Sequence, residues 1–263
     1  MSHRFGRPIM AEPAPWLRGY TRVEGEWIVL DPSRAEQYRP LSEKGYLYDL
    51  AAVRRPTDAV AFGRKYGLLW HGPNATEYRE KFADWEDVTI RLNYCLQLYL
   101  TLRRATDGDQ EALSDLRKRF LPGLLPLFSE PIETADDLLG AGAQVLAWQV
   151  NEGLDSAQEM ISPLFVEYHE GDLSGPLLRS RFSGTFGFTV QTPNLVALAY
   201  HELAMAITNR APMSKCPVCG RFFVVKDARQ EYCTPTCAGR ARYRRWADKK
   251  KLEQGGINER SSS

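Results

Sequence analysis

An α+β fold, mainly helical with a minor sheet and a small C-terminal module, follows from three features of the sequence. Apolar residues recur at spacings of three and four over much of the first 212 positions, the period of helices that bury one face. Shorter runs rich in β-branched and aromatic residues, bounded by glycine, lie near the start and across 162–190, as strands do. Four of the five cysteines fall within residues 216–237, followed directly by a cluster of arginines.

With 263 residues, 43% apolar and 25% charged, the chain can bury a sizeable core and still supply a small second unit. Its net charge of +1 hides an asymmetry. Residues 1–213 carry 22 basic and 28 acidic side chains, a net of −6, whereas residues 214–263 carry 12 and 5, a net of +7. A basic end on an acidic body points to an anionic partner. No stretch approaches the roughly 18 apolar residues of a membrane span. The polar segment 1–15, with Arg4, Arg7, Pro8, Pro13 and Pro15, lacks the apolar core of a secretory leader. A soluble, cytoplasmic protein without membrane contact is expected, in a reducing compartment that favours metal over disulfides.

The elements follow in order. Segments 1–15 and 253–263 have the composition of disordered tails. Between them the reading is a mainly helical domain over 16–212 and a separate module over 213–252. Trp16 to Leu30 predicts one or two strands, and Tyr46-Leu47-Tyr48-Asp49-Leu50 a short extended piece. Thr57 caps a short helix closed by Gly67. Thr76 opens a long one carrying Tyr78, Phe82, Trp85, Val88, Leu92, Leu96 and Tyr99. Asp109 starts another that reaches Phe120, before Pro122 and Pro126 break the pattern. Thr134 and Asp137 open a helix through Trp148. Leu164 to Val166, Pro176 to Leu178 and Phe186 to Val190 read as strands. Thr192-Pro193 begins a helix with Leu195, Leu198, Ala199, Leu203 and Ile207 on its apolar stripe, ended by Ala211-Pro212.

The cysteines carry the most specific chemistry. Cys216-Pro-Val-Cys219 is a turn that presents two sulfurs to one point, and Gly220 suits a tight bend whose amides face thiolates. Cys233 and Cys237 supply a second pair where Thr234-Pro235 begins a helix. Four thiolates satisfy the tetrahedron of one structural zinc ion and leave no open position for catalysis. Phe222 to Val225, a turn at Lys226 to Arg229 and a return at Glu231-Tyr232 predict a hairpin. Knuckle, hairpin and helix together describe a treble-clef finger, whose small core leaves much of its folding free energy to zinc. Cys95, inside the long helical pattern, is expected to be a buried core thiol.

This module resembles the treble-clef fingers at the C-termini of bacterial CGNR-type zinc finger proteins. The matching features are Cys216, Cys219-Gly220, Phe223, Arg229, Tyr232-Cys233, Cys237, Arg240 and the Arg-rich helix that follows, about 40 residues in all. Where the naming motif reads Cys-Gly-Asn-Arg, this chain has Cys237-Ala238-Gly239-Arg240. The resemblance implies a DNA-binding, regulator-like protein with a helical N-terminal domain.

After Cys237 come Arg240, Arg242, Arg244, Arg245, Lys249, Lys250 and Lys251, opposed before Leu252 by Asp248 alone. Of these, Arg240, Arg242, Arg244, Arg245 and Lys249 are the candidate nucleic-acid contacts, to phosphates or in a DNA major groove. Interleaved Tyr243 and Trp246 either anchor the helix to the finger or stack on bases of single-stranded RNA or DNA. Sequence-specific binding from one finger calls for a homodimer or a second element. The alternative is a zinc-stabilised adaptor that docks on an acidic protein surface, including the acidic large unit itself.

No enzyme signature emerges. His201-Glu202 begins like a metalloprotease helix, but Met205 stands where the second histidine belongs; His71 and His169 are isolated. There is no nucleophile elbow and no phosphate loop. Gly184 to Gly187 reads as a hairpin bend, and the acidic pairs Glu86-Asp87 and Asp136-Asp137 as helix starts or solvated faces. Trp70, Trp85, Trp148, Phe186 and Phe188 are expected in the core. A small-molecule effector for the large unit rests on the regulator analogy alone.

Overall fold

The computed structural model describes residues 9–10, 16–39, 45–71, 76–120, 132–156, 160–165, 187–191 and 194–260. Pro122, Pro126, His169, Pro176 to Leu178, Gly184, Phe186 and Thr192-Pro193 lie outside them. Helices dominate and the sheets are small. The chain divides into two compact units, each assembled from three stretches: 1–44, 55–85 and 150–201 in the first, and 45–54, 86–149 and 202–263 in the second. The expected module over 213–252 lies within the second of these units. The cysteine segment shares its unit with earlier chain because specific bonds tie it there. Tyr48 donates its hydroxyl to the Met213 sulfur (3.2 Å), Arg221 pairs with Asp49, and Tyr99 and Arg103 both donate to the Ala211 carbonyl (3.3 and 2.7 Å).

In the first unit, β2 (Trp16–Glu24) and β3 (Trp27–Tyr38) form an antiparallel hairpin turned at Gly25 (φ 61°). β4 (Arg79–Lys81) pairs with the other side of β3. Trp16, Thr21, Ile28 and Leu30 are buried along the ribbon. Helix α2 (Pro56–Tyr66) packs on β2, with Gly63 so close to Thr21 that a methyl group would meet its Cγ2 at 2.9 Å. The helix starts two residues earlier than expected, with Arg55 as its cap, Pro56 in its first position and Asp58 accepting the Arg55 amide (3.1 Å), so Thr57 is not its cap. Gly67 (φ 89°) closes it as expected. A second sheet has the order β1-β6-β5: β1 (Ile9–Met10) runs parallel to β6 (Gly187–Gln191), and β5 (Met160–Phe165) antiparallel to it.

Residues 76–81 depart from the helical expectation, because the long helix α3 begins only at Phe82 (Phe82–Thr106). Glu80 is spent elsewhere. Its carboxylate is 3% exposed and accepts the amides of Leu69 (2.9 Å), Trp70 (2.5 Å) and His71 (3.2 Å), and it meets the His71 ring at Nδ1 (2.8 Å). An edge strand satisfies both this carboxylate and the free edge of β3, which a helix from Thr76 would leave unpaired.

Helix α5 (Ala135–Ser156) ends in the first unit, and α6 (Leu195–Thr208) begins there, capped by Asn194 through the Ala197 amide (2.8 Å). A Cβ on Gly153 would lie 2.2 Å from the buried Tyr200 ring. Gly153→Ala is expected to lower stability by about 1–3 kcal/mol, since the buried Tyr200 ring must shift to admit the methyl group. A urea melt within about 0.5 kcal/mol of the parent would refute that packing.

In the second unit, Tyr46–Leu50 forms a short helix, α1, where an extended piece is expected. A five-residue run is too short for its period to be decided, and Gly45 (φ 79°) turns the chain into a helical turn that buries Tyr46, Leu47 and Leu50. The expected stripe of α3 is in place: Val88, Leu92, Leu96 and Tyr99 are buried with Cys95. Asp109 caps α4 (Gln110–Asp115) through the Ala112 amide (3.1 Å), and the chain continues as a π-helical turn over Leu116–Phe120. Thr134 and Asp137 cap α5 reciprocally, each accepting the other's amide (3.1 and 2.9 Å). Trp85 is in the core and Trp70 half-buried, but Trp148 is 53% exposed and corrects the core expectation for that ring.

Candidate metal centre

β7 (Met213–Lys215) and β8 (Phe222–Val224) are antiparallel, Met213 facing Val224 and Lys215 facing Phe222. The knuckle between them holds Cys216 and Cys219. Two bonds close it: the Gly220 amide to the Cys216 carbonyl (2.8 Å) and the Cys216 amide to the Arg221 carbonyl (2.9 Å), with Gly220 at φ 71°. This corrects the expected hairpin, because β8 pairs backwards across the knuckle rather than forwards with Glu231-Tyr232. The bond from the Cys216 amide to the Arg221 carbonyl extends this pairing into the knuckle. Residues 226–232 form a loop instead, with Asp227 accepting the Arg229 amide (2.8 Å) and Gln230 accepting the Lys226 amide (2.9 Å).

Helix α7 (Pro235–Arg260) follows. Thr234 caps it, its hydroxyl accepting the Cys237 amide (3.2 Å), and Pro235 occupies the first position. The helix runs on through 253–260, where composition predicts a disordered tail. Cys233 stands just before the helix and Cys237 in its first turn, so both sulfurs sit at its positive end.

The four sulfurs converge. All lie within 4.8 Å of one another, with 3.5 Å between Cys219 and Cys233 and 3.6 Å between Cys233 and Cys237. A regular tetrahedron of thiolates about 2.3 Å from a metal has edges of about 3.8 Å. The cluster therefore fits one tetrahedrally bound ion, and its sulfurs are too far apart for disulfides of about 2.05 Å. Cys216 and Cys237 are buried with Phe223, Val218, Val225, Tyr232 and Cys233 pack against them, and Cys219 is exposed.

The electrostatics fit the same reading. Burial pushes the Cys216 thiol up, but the amides of Cys233, Cys219 and Val218 outweigh it and hold the thiol down at about 6. Burial raises Cys219, and burial together with the neighbouring cysteines raises Cys233 to about 12. A divalent cation among these sulfurs would favour their thiolate forms. Among the described residues this is the one group of three or more His, Cys, Asp or Glu side chains placed to hold a metal. His71 is committed to Glu80 and the half-buried His201 lies on α6.

The five candidate nucleic-acid contacts, Arg240, Arg242, Arg244, Arg245 and Lys249, all lie exposed along α7. Tyr243 and Trp246 do not anchor that helix: they are 67% and 56% exposed and contact each other, centroids 5.8 Å apart. No element covers that part of α7 among the described residues. The sequence signals also leave out Asp49 and Arg221, whose pairing fixes the knuckle within its unit and carries no local signature.

No family model, curated protein or solved structure matches this chain. Its function is read from the cluster and the helix themselves. No helix among the described residues is long and apolar enough to cross a membrane.

Proposed function

We propose that the C-terminal segment is a zinc-stabilised nucleic-acid-binding module of treble-clef type, akin to the bacterial CGNR-type fingers, in a cytoplasmic DNA-binding regulator. The observation that carries this reading is the cluster of four sulfurs at the root of an exposed helix rich in arginine and lysine. Cys216, Cys219, Cys233 and Cys237 hold the zinc, which contributes folding free energy rather than chemistry. Arg240, Arg242, Arg244, Arg245 and Lys249 then meet phosphates or base edges from a fixed helix.

Such contacts release counterions, so affinity must fall steeply with salt. About six phosphate contacts imply a loss on the order of a thousandfold between about 50 and 200 mM salt. Changing Arg240, Arg244 and Arg245 together to Ala is expected to weaken binding and to flatten the log–log salt slope by about three. Fluorescence anisotropy of the zinc-loaded chain with labelled nucleic acid checks both. A flat salt dependence, or no binding at low salt, would leave the adaptor role and move the search to acidic protein partners.

A further inference from the structure

Resting on that reading, the geometry points to unpaired nucleic acid, RNA or DNA, as the ligand of α7, held by base stacking on Tyr243 and Trp246. Isolated exposed apolar residues are ordinary on protein surfaces. Here two of the five large exposed hydrophobics among the described residues fall three positions apart on the most basic segment. Their rings touch at 5.8 Å with planes 35° apart, and Lys250 lies over the Trp246 ring at 5.2 Å.

Helical geometry places the pair. At about 100° per residue, Arg242, Tyr243, Trp246, Lys249 and Lys250 span an arc of about 120°. The centre of that arc lies about 180° from Cys237, so the stripe looks away from the metal cluster. Arg240, Arg244 and Lys251 fall on the other side of the helix by the same count. The aromatic rings are therefore not a lid over the sulfurs, and cations flank them on their own face.

Cations alone serve any polyanion, paired or unpaired. Exposed ring faces add something only where base faces are accessible. In a duplex, each base is stacked on its neighbours and shows only its edges in the grooves. In a single strand the faces are open, and stacking on Tyr or Trp between basic side chains gives binding that tolerates any sequence. The charge of the stripe fits the phosphates between the stacked bases.

The test uses the whole 263-residue chain loaded with zinc. A short labelled oligothymidine strand, its RNA counterpart and a duplex of mixed sequence are titrated by anisotropy at low salt. The strands are expected to bind more tightly than the duplex. Trp246→Leu and Tyr243→Leu are each expected to lower single-strand affinity roughly five- to a hundredfold, with duplex affinity within about twofold of the parent. Trp246→Phe, which keeps a ring, should recover most of the loss. Zinc content and circular dichroism of the variants confirm that the module still folds. If the duplex binds best and the leucine variants leave every affinity unchanged, stacking is refuted while phosphate binding stands. If neither strand nor duplex binds but acidic polyglutamate does, the nucleic-acid reading falls with it.

Discussion

Replacing Cys237 with serine is expected to abolish stoichiometric zinc binding and to unfold the segment from Met213 into the first turns of α7. Cys237 is buried at the helix start, and the apolar residues packed around the cluster are few. A structural zinc ion contributes about 10–16 kcal/mol in isolated fingers, comparable with the whole stability of a domain. The same outcome is expected from chelation of the parent protein. Limited proteolysis read by mass should then show new cuts between residues 213 and 240, and metal analysis should show no bound zinc. Cys95→Ala serves as the control that keeps its metal, because Cys95 is buried in α3 outside the cluster. A Cys237→Ser protein that retained one zinc and the parent's cleavage pattern would contradict the four-sulfur site. The effect should spread within the unit, since Arg221 pairs with Asp49 and Tyr48 with Met213.

The second large effect is expected at Glu80. Its carboxylate accepts three backbone amides and the His71 ring, and almost none of it reaches solvent. Glu80→Ala leaves the buried Leu69 amide and the half-buried Trp70 and His71 amides without this partner, at up to about 1–3 kcal/mol each. A loss of about 3–6 kcal/mol in urea unfolding is expected, and a loss below about 1 kcal/mol would show that water replaces the carboxylate.

A pH signature accompanies it. The hydrogen bond to Glu80 raises the His71 pKa above the ordinary 6.5, burial works against this, and the charges of Glu80 and Glu77 add to the rise. A raised folded value means that protonated His71 stabilises the fold fully below the unfolded value and less as pH climbs through the folded one. The stability gap between the parent and Glu80→Ala should therefore be wider near about pH 5.5 than near about pH 8.5. A gap that widens towards alkaline pH would reverse the sign and refute the assignment.

Legibility of this chain in its sequence followed the range of the interactions involved. Caps are local, so Asp109 and the Thr134–Asp137 pair announce their helices, and Gly67 the end of α2. Cysteine spacing is local as well, so the cluster is legible to the residue, down to Thr234-Pro235 at the start of α7. Partners distant in sequence are not. Nothing near Arg79–Lys81 shows that Glu80 will be needed by the amides of 69–71, and the periodic residues around it favour a helix. The knuckle hairpin departs from expectation for a different reason: Phe222–Val224 is plainly a strand, but strand character does not say on which side its partner lies, and β7 precedes the cysteines. Exposure of Trp148 is invisible to a rule that places large aromatics inside.

One buried side chain makes the protein convenient to assay. Cys95 is fully enclosed in α3 and burial pushes its thiol to about 12, so the folded chain does not offer that sulfur to a reagent at neutral pH. Every thiol that a coloured disulfide reagent titrates without denaturant then belongs to Cys216, Cys219, Cys233 or Cys237. A thiol titration before and after chelation becomes a direct gauge of occupancy: no colour from a loaded protein, four equivalents from a stripped one, and a fifth only when the whole fold opens.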